Sequence, residues 1–115
     1  EMPRVKRGFK GRRRKNRILN LTEGFFGGRK NRFKQAREVL HHAWEYQYIS
    51  RRLKKRDFRR LWITRINAAA RLVGTSYSRL MSSLKKANIA LDRKVLSEIA
   101  IFDPGAFKAV SEAAK

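Results

Sequence analysis

The sequence predicts an all-α protein in which a long basic N-terminal arm, extended and then helical, joins a small helical C-terminal domain. Three observations support this fold class. In residues 1–60 Lys and Arg outnumber Asp and Glu 21 to 5, whereas residues 61–115 have nine basic and four acidic groups. Residues 29–73 contain neither Gly nor Pro, which favours a long helix. No segment alternates polar and apolar residues with the period of two that is typical of a strand. We therefore assign residues 1–60 to the arm and residues 61–115 to the domain.

The beginning of the arm is rich in glycine, with five of the seven glycines in residues 1–28. Glycine costs about 1 kcal/mol relative to alanine inside a helix. We therefore expect this part to be extended or broken helix, with at most a short helical stretch near residues 12–20. The segment Gly-Phe-Phe-Gly-Gly at 24–28 predicts a bend.

The following run, residues 29–73, predicts one long helix, with Gly74 where a C-terminal cap belongs. A single helix over this run would be about 65 Å long at 1.5 Å per residue. Its faces are too basic for a coiled coil or a membrane span, so a rod lying along RNA explains the run better.

Three shorter helices are predicted after Gly74. Thr75 or Ser76 is placed to cap the first of them, and Asn88 to end it. Asp92 and Asp103 are predicted caps of the next two, with Pro at the first position of the last helix. Leu91 and Phe102 stand where they can pack across these caps onto Leu96 and Phe107. The predicted core consists of residues with helical spacing: Leu61, Trp62, Ile66, Ala69, Ala70, Val73, Tyr77, Leu80, Met81, Leu84, Val95, Leu96 and Ile99.

The charge of the arm predicts a nucleic-acid partner. A net charge of +16 on sixty residues (21 minus 5) repels itself, whereas against a polyanion each cation neutralises a phosphate and releases counterions. Arginine, which is favoured in most clusters, binds phosphate oxygens in a bidentate manner and stacks on bases. The candidate RNA-binding cations of the arm are Arg4, Lys6, Arg7, Lys10, Arg12, Arg13, Arg14, Lys15, Arg17, Arg29, Lys30, Arg32, Lys34, Arg51, Arg52, Lys54, Lys55, Arg56, Arg59 and Arg60.

Aromatic residues lie among these charges. Phe25 and Phe26, in the glycine-rich bend, are candidates for stacking on unpaired bases, and packing within the protein is an equally good interpretation. For Trp44, Tyr48, Phe58 and Trp62 packing is the better interpretation. In the domain, Ser76 and Ser78 at a helix N-terminus and Lys85 and Lys86 beyond them are further RNA-binding candidates; an ordinary cap followed by a solvated surface is the alternative.

No catalytic, metal or cofactor site is expected. The chain has no cysteine, and His41 and His42 are neighbours on a helix that point about 100° apart, which is typical of surface or interface imidazoles. No phosphate-binding glycine loop and no dinucleotide fingerprint is present. No run approaches the roughly 20 apolar residues that cross a bilayer. We expect a soluble protein that is not an enzyme.

Several strings match a known family. MPRVKRG at 2–8, RDFRRLWI at 56–63, RINAAAR at 65–71, SYS at 76–78, LKKA at 84–87 and LDRKVL at 91–96 resemble bacterial large-subunit ribosomal protein twenty over nearly the whole chain. The resemblance implies direct binding of large-subunit rRNA early in assembly, with the arm threading between RNA segments and the domain docking on a helical junction. It also implies neighbouring large-subunit proteins as partners and a cytoplasmic ribosome, or the bacterial-type ribosome of an organelle. Some members also bind their own messenger and repress its translation.

The rival interpretation is a DNA-compacting or helix-turn-helix DNA-binding protein, since Trp62-Ile63 in a basic helix is similar to a homeodomain recognition helix. Against it, the two amphipathic helices that should precede such a helix are missing. Binding to a membrane surface is less favoured still, because polar and apolar residues do not segregate into two faces.

Overall fold

The computed structural model describes residues 2–6 and 8–115, and these form helices without a strand, which confirms the all-α class. In chain order the elements are α1 (Gly8–Leu21), a short 3-10 helix (Gly27–Lys30), α2 (Phe33–Leu72), α3 (Tyr77–Lys86), α4 (Arg93–Phe102) and α5 (Pro104–Ala113). The chain divides into two compact units, one that ends at Arg51 and one from Arg52 to Lys115. The 40-residue helix α2 contributes residues to both.

Helix α1 begins earlier than the sequence indicated. It starts at Gly8 and includes Gly11, although both residues lower helix propensity. The Lys and Arg that follow are good helix formers, and the guanidinium carbon of Arg13 lies 4.7 Å from the centre of the Phe9 ring one turn before it. This cation–π contact supports the first turn at a place where the glycines weaken it.

The predicted bend between the first two helices is confirmed. Gly24 and Gly27 have φ angles of +86° and +59°, which glycine adopts without a steric cost. Thr22 is fully buried beneath the bend. Its hydroxyl oxygen lies 3.1 Å from the carbonyl oxygen of Leu19 and 3.2 Å from that of Lys30, so one side chain ties the end of α1 to the end of the bend.

Helix α2 is the predicted long helix, with a start at Phe33 instead of residue 29 because the 3-10 helix occupies the intervening turn. Its end follows the prediction. Gly74 has φ +85°, its N–H donates to the carbonyl of Arg71 at 3.1 Å, and the N–H of Thr75 donates to that of Ala70 at 3.0 Å. This pair of hydrogen bonds is the Schellman motif, which needs a left-handed residue at the Gly74 position.

The second unit is built around a small apolar core. Its buried members are Ile66, Ala70, Leu80, Leu84, Leu96, Phe107 and Ala114, and most of the other predicted core residues pack partly buried against them. Leu61 and Val95 are more exposed than predicted, at 39% and 37%. Phe102 is 83% exposed, so it does not cover Phe107 as the capping pattern suggested.

The two predicted Asp caps are confirmed. The carboxylate of Asp92 accepts a hydrogen bond from the backbone N–H of Val95 at 2.8 Å, and that of Asp103 accepts one from Ala106 at 3.0 Å. Asn88 ends α3 as predicted, with φ +54°. These local devices set where α3 stops and where α4 and α5 begin.

The cap of α3 differs from the prediction. Ser76 occupies the N-cap position with extended backbone angles, but its side chain makes no capping hydrogen bond. Instead the side-chain oxygen of Asn67, on α2, accepts a hydrogen bond from the N–H of Tyr77 at 3.3 Å. The acceptor comes from a residue ten positions away, so the start of α3 is fastened directly to α2.

Candidate nucleic-acid interface

The predicted RNA-binding cations lie at the surface. Every one that the structure describes is exposed, namely Arg4, Lys6, Lys10, Arg12, Arg13, Arg14, Lys15, Arg17, Arg29, Lys30, Arg32, Lys34, Arg51, Arg52, Lys54, Lys55, Arg56, Arg59, Arg60, Lys85 and Lys86. Arg7, which the sequence also predicts, lies outside the described residues. Exposed cations of this density form a surface to which an anionic ligand is attracted.

The protein lacks the carboxylates to neutralise this surface. Even if each of the nine Asp and Glu side chains paired with a different cation, 21 of the 30 Lys and Arg would have no carboxylate partner (30 minus 9). Where a pair forms on this surface it is weak: Arg60 lies 3.8 Å from Asp57, with both side chains more than two-thirds exposed. Most of the positive charge is therefore available to an external anion.

Aromatic rings hold some of these cations in place. The ammonium nitrogen of Lys15 lies 5.8 Å from the centre of the Phe33 ring, which joins α1 to the start of α2. On α2 the ammonium of Lys54 lies 5.9 Å from the Phe58 ring, and that ring is 6.3 Å from the Trp62 ring. Phe33 and Phe58 thus contact the ammonium groups of nearby lysines, and Phe58 also packs against Trp62.

Phe25 and Phe26, for which stacking and packing were equally good interpretations, differ in their exposure. Phe25 is half-buried, whereas Phe26 is 89% exposed at the start of the 3-10 helix. The partial burial of Phe25 favours packing, while its stacking on a base stays a prediction. A ring as exposed as that of Phe26 has a free face, and an unpaired base could stack on it.

The basic stretch of α2 surrounds much of the helix. At 100° per residue, the seven cations between residues 51 and 60 cover about two thirds of the circumference. Leu53, Asp57 and Leu61 occupy the remaining third. A helix that lies on a membrane has a broad apolar face instead, and this stretch has none.

The four candidates of the domain do not meet at one point. Ser76 is half-buried and Ser78 is exposed, both at the N-terminus of α3. Lys85 and Lys86 lie in its last turn, about 13 Å further along the axis. The hydroxyls and the ammonium groups could contact one RNA molecule, but they cannot hold the same phosphate.

Arg93 is a residue that the sequence did not indicate as a candidate. It is half-buried at the start of α4, and its Nε donates a 2.7 Å hydrogen bond to the Tyr77 hydroxyl. An open cleft on the second unit is lined by Arg93 and Lys85 together with Met81, Ser82, Leu84, Ile89 and Leu91. Tyr77 and Arg93 are sixteen positions apart, and the sequence around Arg93 indicates only the Asp92 cap, so the sequence did not reveal this pairing.

The described residues form neither a metal site nor a membrane span. Among residues 2–6 and 8–115, no three His, Asp or Glu side chains come together as a metal site would require. His41 stacks on Trp44 with ring centres 5.8 Å apart, and Nδ1 of His42 lies 3.5 Å from a carboxylate oxygen of Glu45. None of the helices in the described part of the chain combines the length and apolarity of a membrane span.

Comparison with known proteins agrees with the family resemblance seen in the sequence. The model of the family described as Ribosomal protein L20 matches residues 4–110. The chain is 79% identical over 113 residues to the large ribosomal subunit protein bL20 of Sorangium cellulosum, which covers 98% of this chain and 95% of the relative. It is 59% identical over 112 residues to bL20 of Myxococcus xanthus (97% of each chain) and 57% identical over 114 residues to that of Syntrophotalea carbinolica (99% of this chain and 97% of the relative).

Proposed function

We propose that this chain, which belongs to the ribosomal protein L20 family, binds large-subunit rRNA directly and promotes early assembly of the subunit. The members of this family are structural proteins of the large ribosomal subunit and not enzymes. Its partners are then that rRNA and the large-subunit proteins beside it, on a cytoplasmic ribosome. The observation that supports this best is the excess of exposed cations in residues 1–60, for which the protein has too few carboxylates.

The arm, residues 1–60, acts as a counterion and a splint. RNA helices repel each other when they pack closely, and their condensed cations must be confined or displaced. A chain segment with 21 basic side chains places fixed positive charge between the phosphates, where dissolved salt reduces their repulsion less effectively. The exposed position of the basic side chains that the structure describes supports RNA contact on both sides of residues 38–50. We infer that the arm orders fully on RNA, so that part of the binding free energy offsets its loss of conformational entropy.

The domain, residues 61–115, positions the protein on the rRNA. Its core fixes the N-terminus of α3, the last turn of α3 and the start of α4 relative to one another. Ser76, Ser78, Lys85 and Lys86 then contact sugar and phosphate at an rRNA junction, with Arg93 as an additional cation. Recognition of this kind reads the shape of the RNA more than its bases.

The same domain would bind any RNA that presents the shape of that junction. Repression of its own messenger, if the messenger folds in that way, is a consequence of the proposed docking and needs no second site. A fragment of the chain's own messenger therefore belongs in the binding experiment below.

The experiment measures binding of the full chain to large-subunit rRNA fragments, to its own messenger, to an unrelated structured RNA and to duplex DNA, each over a salt series. We expect one rRNA fragment to stay bound at salt concentrations that release the unrelated RNA and the DNA, because shape-specific contacts add to the counterion term. Release of all ligands at the same salt concentration would contradict the proposal and favour a general nucleic-acid compactor.

A further inference from the structure

One segment of the arm is unlike the rest. Between Arg37 and Arg51 there are thirteen residues without a Lys or Arg, and two of them, Glu38 and Glu45, are acidic. This is the longest such gap within residues 1–60, and it interrupts a helix that is strongly basic on both sides. An RNA-facing function does not explain a stretch of net charge −2 in the middle of the most basic part of the protein.

The gap presents an exposed apolar face. Residues 41, 44, 45, 48 and 49 have the i, i+3, i+4, i+7, i+8 spacing of one side of a helix, and their side chains line an open concavity: His41, Trp44, Glu45, Tyr48 and Ile49. We call this set the aromatic face. Trp44 is 46% exposed, Tyr48 56% and Ile49 50%. His41 stacks on Trp44, which fixes one wall of the concavity.

We infer that the aromatic face is the docking site for a neighbouring large-subunit ribosomal protein, an inference that rests on the proposed function. The partner surface has an apolar side chain that enters between Trp44 and Ile49, and a Lys or Arg that faces the exposed carboxylate of Glu45. The cores of protein interfaces are enriched in Trp and Tyr and depleted in Lys, which is the composition of this face. We expect basic residues on the partner, because ribosomal proteins bind the same polyanionic rRNA.

Two other occupants fit the charges less well. RNA would bring phosphates near Glu38 and Glu45, and the cations on this side of the helix, Arg37 and Arg52, lie only at the two ends of the face. If two copies of the chain paired through this face, Glu38 and Glu45 of one copy would lie near the same acidic residues of the other, which brings like charges together. A protein neighbour with an apolar projection and one or two cations satisfies both the apolar surface and the charge.

The test is site-specific photo-crosslinking inside assembled subunits. The chain is made with p-benzoylphenylalanine in place of Trp44, incorporated into purified large subunits and irradiated, and the cross-linked product is identified by mass spectrometry. The control carries the same group in place of Tyr46, which is 70% exposed on the same helix but does not line the concavity.

The expected result is one dominant cross-link from position 44 to an identified large-subunit protein, and at least about fivefold less of that product from position 46. A dominant cross-link from position 44 to rRNA, or to a second copy of the chain, would overturn the inference. So would equal yields at the two positions. Failure of the labelled and the unlabelled chain alike to enter subunits would count against the proposed function itself.

A competition experiment separates docking from folding. Wild type and Trp44→Ala are mixed at equal amounts during subunit reconstitution, and their ratio in the finished subunits is measured after a high-salt wash. We expect roughly tenfold less of the variant, since a central Trp in an interface is often a dominant contact, with unchanged affinity for an isolated rRNA fragment. Tyr46→Ala should be retained like wild type. Equal retention of Trp44→Ala and wild type would contradict the inference, as would a parallel loss of affinity for the rRNA fragment.

Discussion

Replacing four adjacent cations of α1 by glutamine, as R12Q/R13Q/R14Q/K15Q, tests how the arm binds RNA. All four side chains are exposed, and none of the residues of α1 is buried. Glutamine has nearly the helix propensity of arginine and lysine, so α1 should still form. Besides charge, the substitution removes only the Arg13 contact with Phe9 and the Lys15 contact with Phe33 among the contacts described above.

The expected magnitude follows from counterion release. Each phosphate contact contributes about 0.7–0.9 to the slope of log K against log[salt], so four lost contacts reduce the slope by about 3. At about 0.1 M salt, one decade below the concentration where this term vanishes, the affinity should fall by about 10³-fold. The matched control R12K/R13K/R14K keeps the charge. It should keep the slope, while losing any part of the affinity that depends on the guanidinium fork.

The assay is a filter-binding or anisotropy titration of the full chain on the preferred rRNA fragment at five or more salt concentrations, with circular dichroism to check helix content. A slope that stays within about half a unit of wild type would refute the counterion account of this cluster. Equal loss of slope in the lysine control would show that charge is not the property that matters.

Three further predictions concern the second unit. Gly74→Ala should lower the free energy of unfolding in urea by about 1 kcal/mol, because φ is +85° there. Gly105→Ala should raise it by about 0.5 kcal/mol, because Gly105 lies within α5 and an added Cβ would be 3.4 Å from Oδ1 of Asp103, an ordinary contact. Equal effects of the two substitutions would contradict the argument from the φ angle of Gly74. Leu96→Ala, at a fully buried position, should lower the free energy of unfolding by about 3 kcal/mol and abolish the preference for the rRNA junction. The control Leu72→Ala, at a position that is 91% exposed, should leave the free energy of unfolding within about 0.5 kcal/mol of wild type. Arg93→Gln should lower the slope of log K against log[salt] for rRNA binding by about one unit. Tyr77→Phe should weaken the same binding without changing the slope, since only the hydrogen bond that positions Arg93 is lost. The control is Lys108→Gln on α5, because Lys108 is exposed and lies outside the cleft.

The features that the sequence predicted well depend on neighbouring residues. Asp92 and Asp103 cap helices through backbone N–H groups three residues later, and Gly74 and Asn88 end helices because they adopt a positive φ. Such devices need no knowledge of the rest of the chain. The excess of charge in residues 1–60 is likewise visible by counting, and it was sufficient to indicate a polyanionic partner.

The features that were missed depend on residues far apart in the chain. Asn67 supplies the acceptor for the start of α3 across ten residues, so the Ser76 hydroxyl is not used as a cap. Arg93 is held by Tyr77 across sixteen residues, and Thr22 closes the bend through Lys30. Phe102 was missed although it is close to Phe107 in the sequence, because the core that buries Phe107 is built from Leu96 and other side chains. Propensity and spacing do not contain this information, which arises only when helices pack.

The most direct test of the central claim is reconstitution of large subunits from rRNA and purified proteins with this chain omitted, added as wild type, or added as R12Q/R13Q/R14Q/K15Q. Compaction of the rRNA is followed over time by small-angle X-ray scattering. The account predicts that omission delays early compaction, that wild type restores it, and that the variant restores it only in part because its domain docks while its arm neutralises less phosphate. Compaction at the wild-type rate without the chain would contradict the proposed role in early assembly. Full restoration by the variant would contradict the role assigned to the charge of the arm.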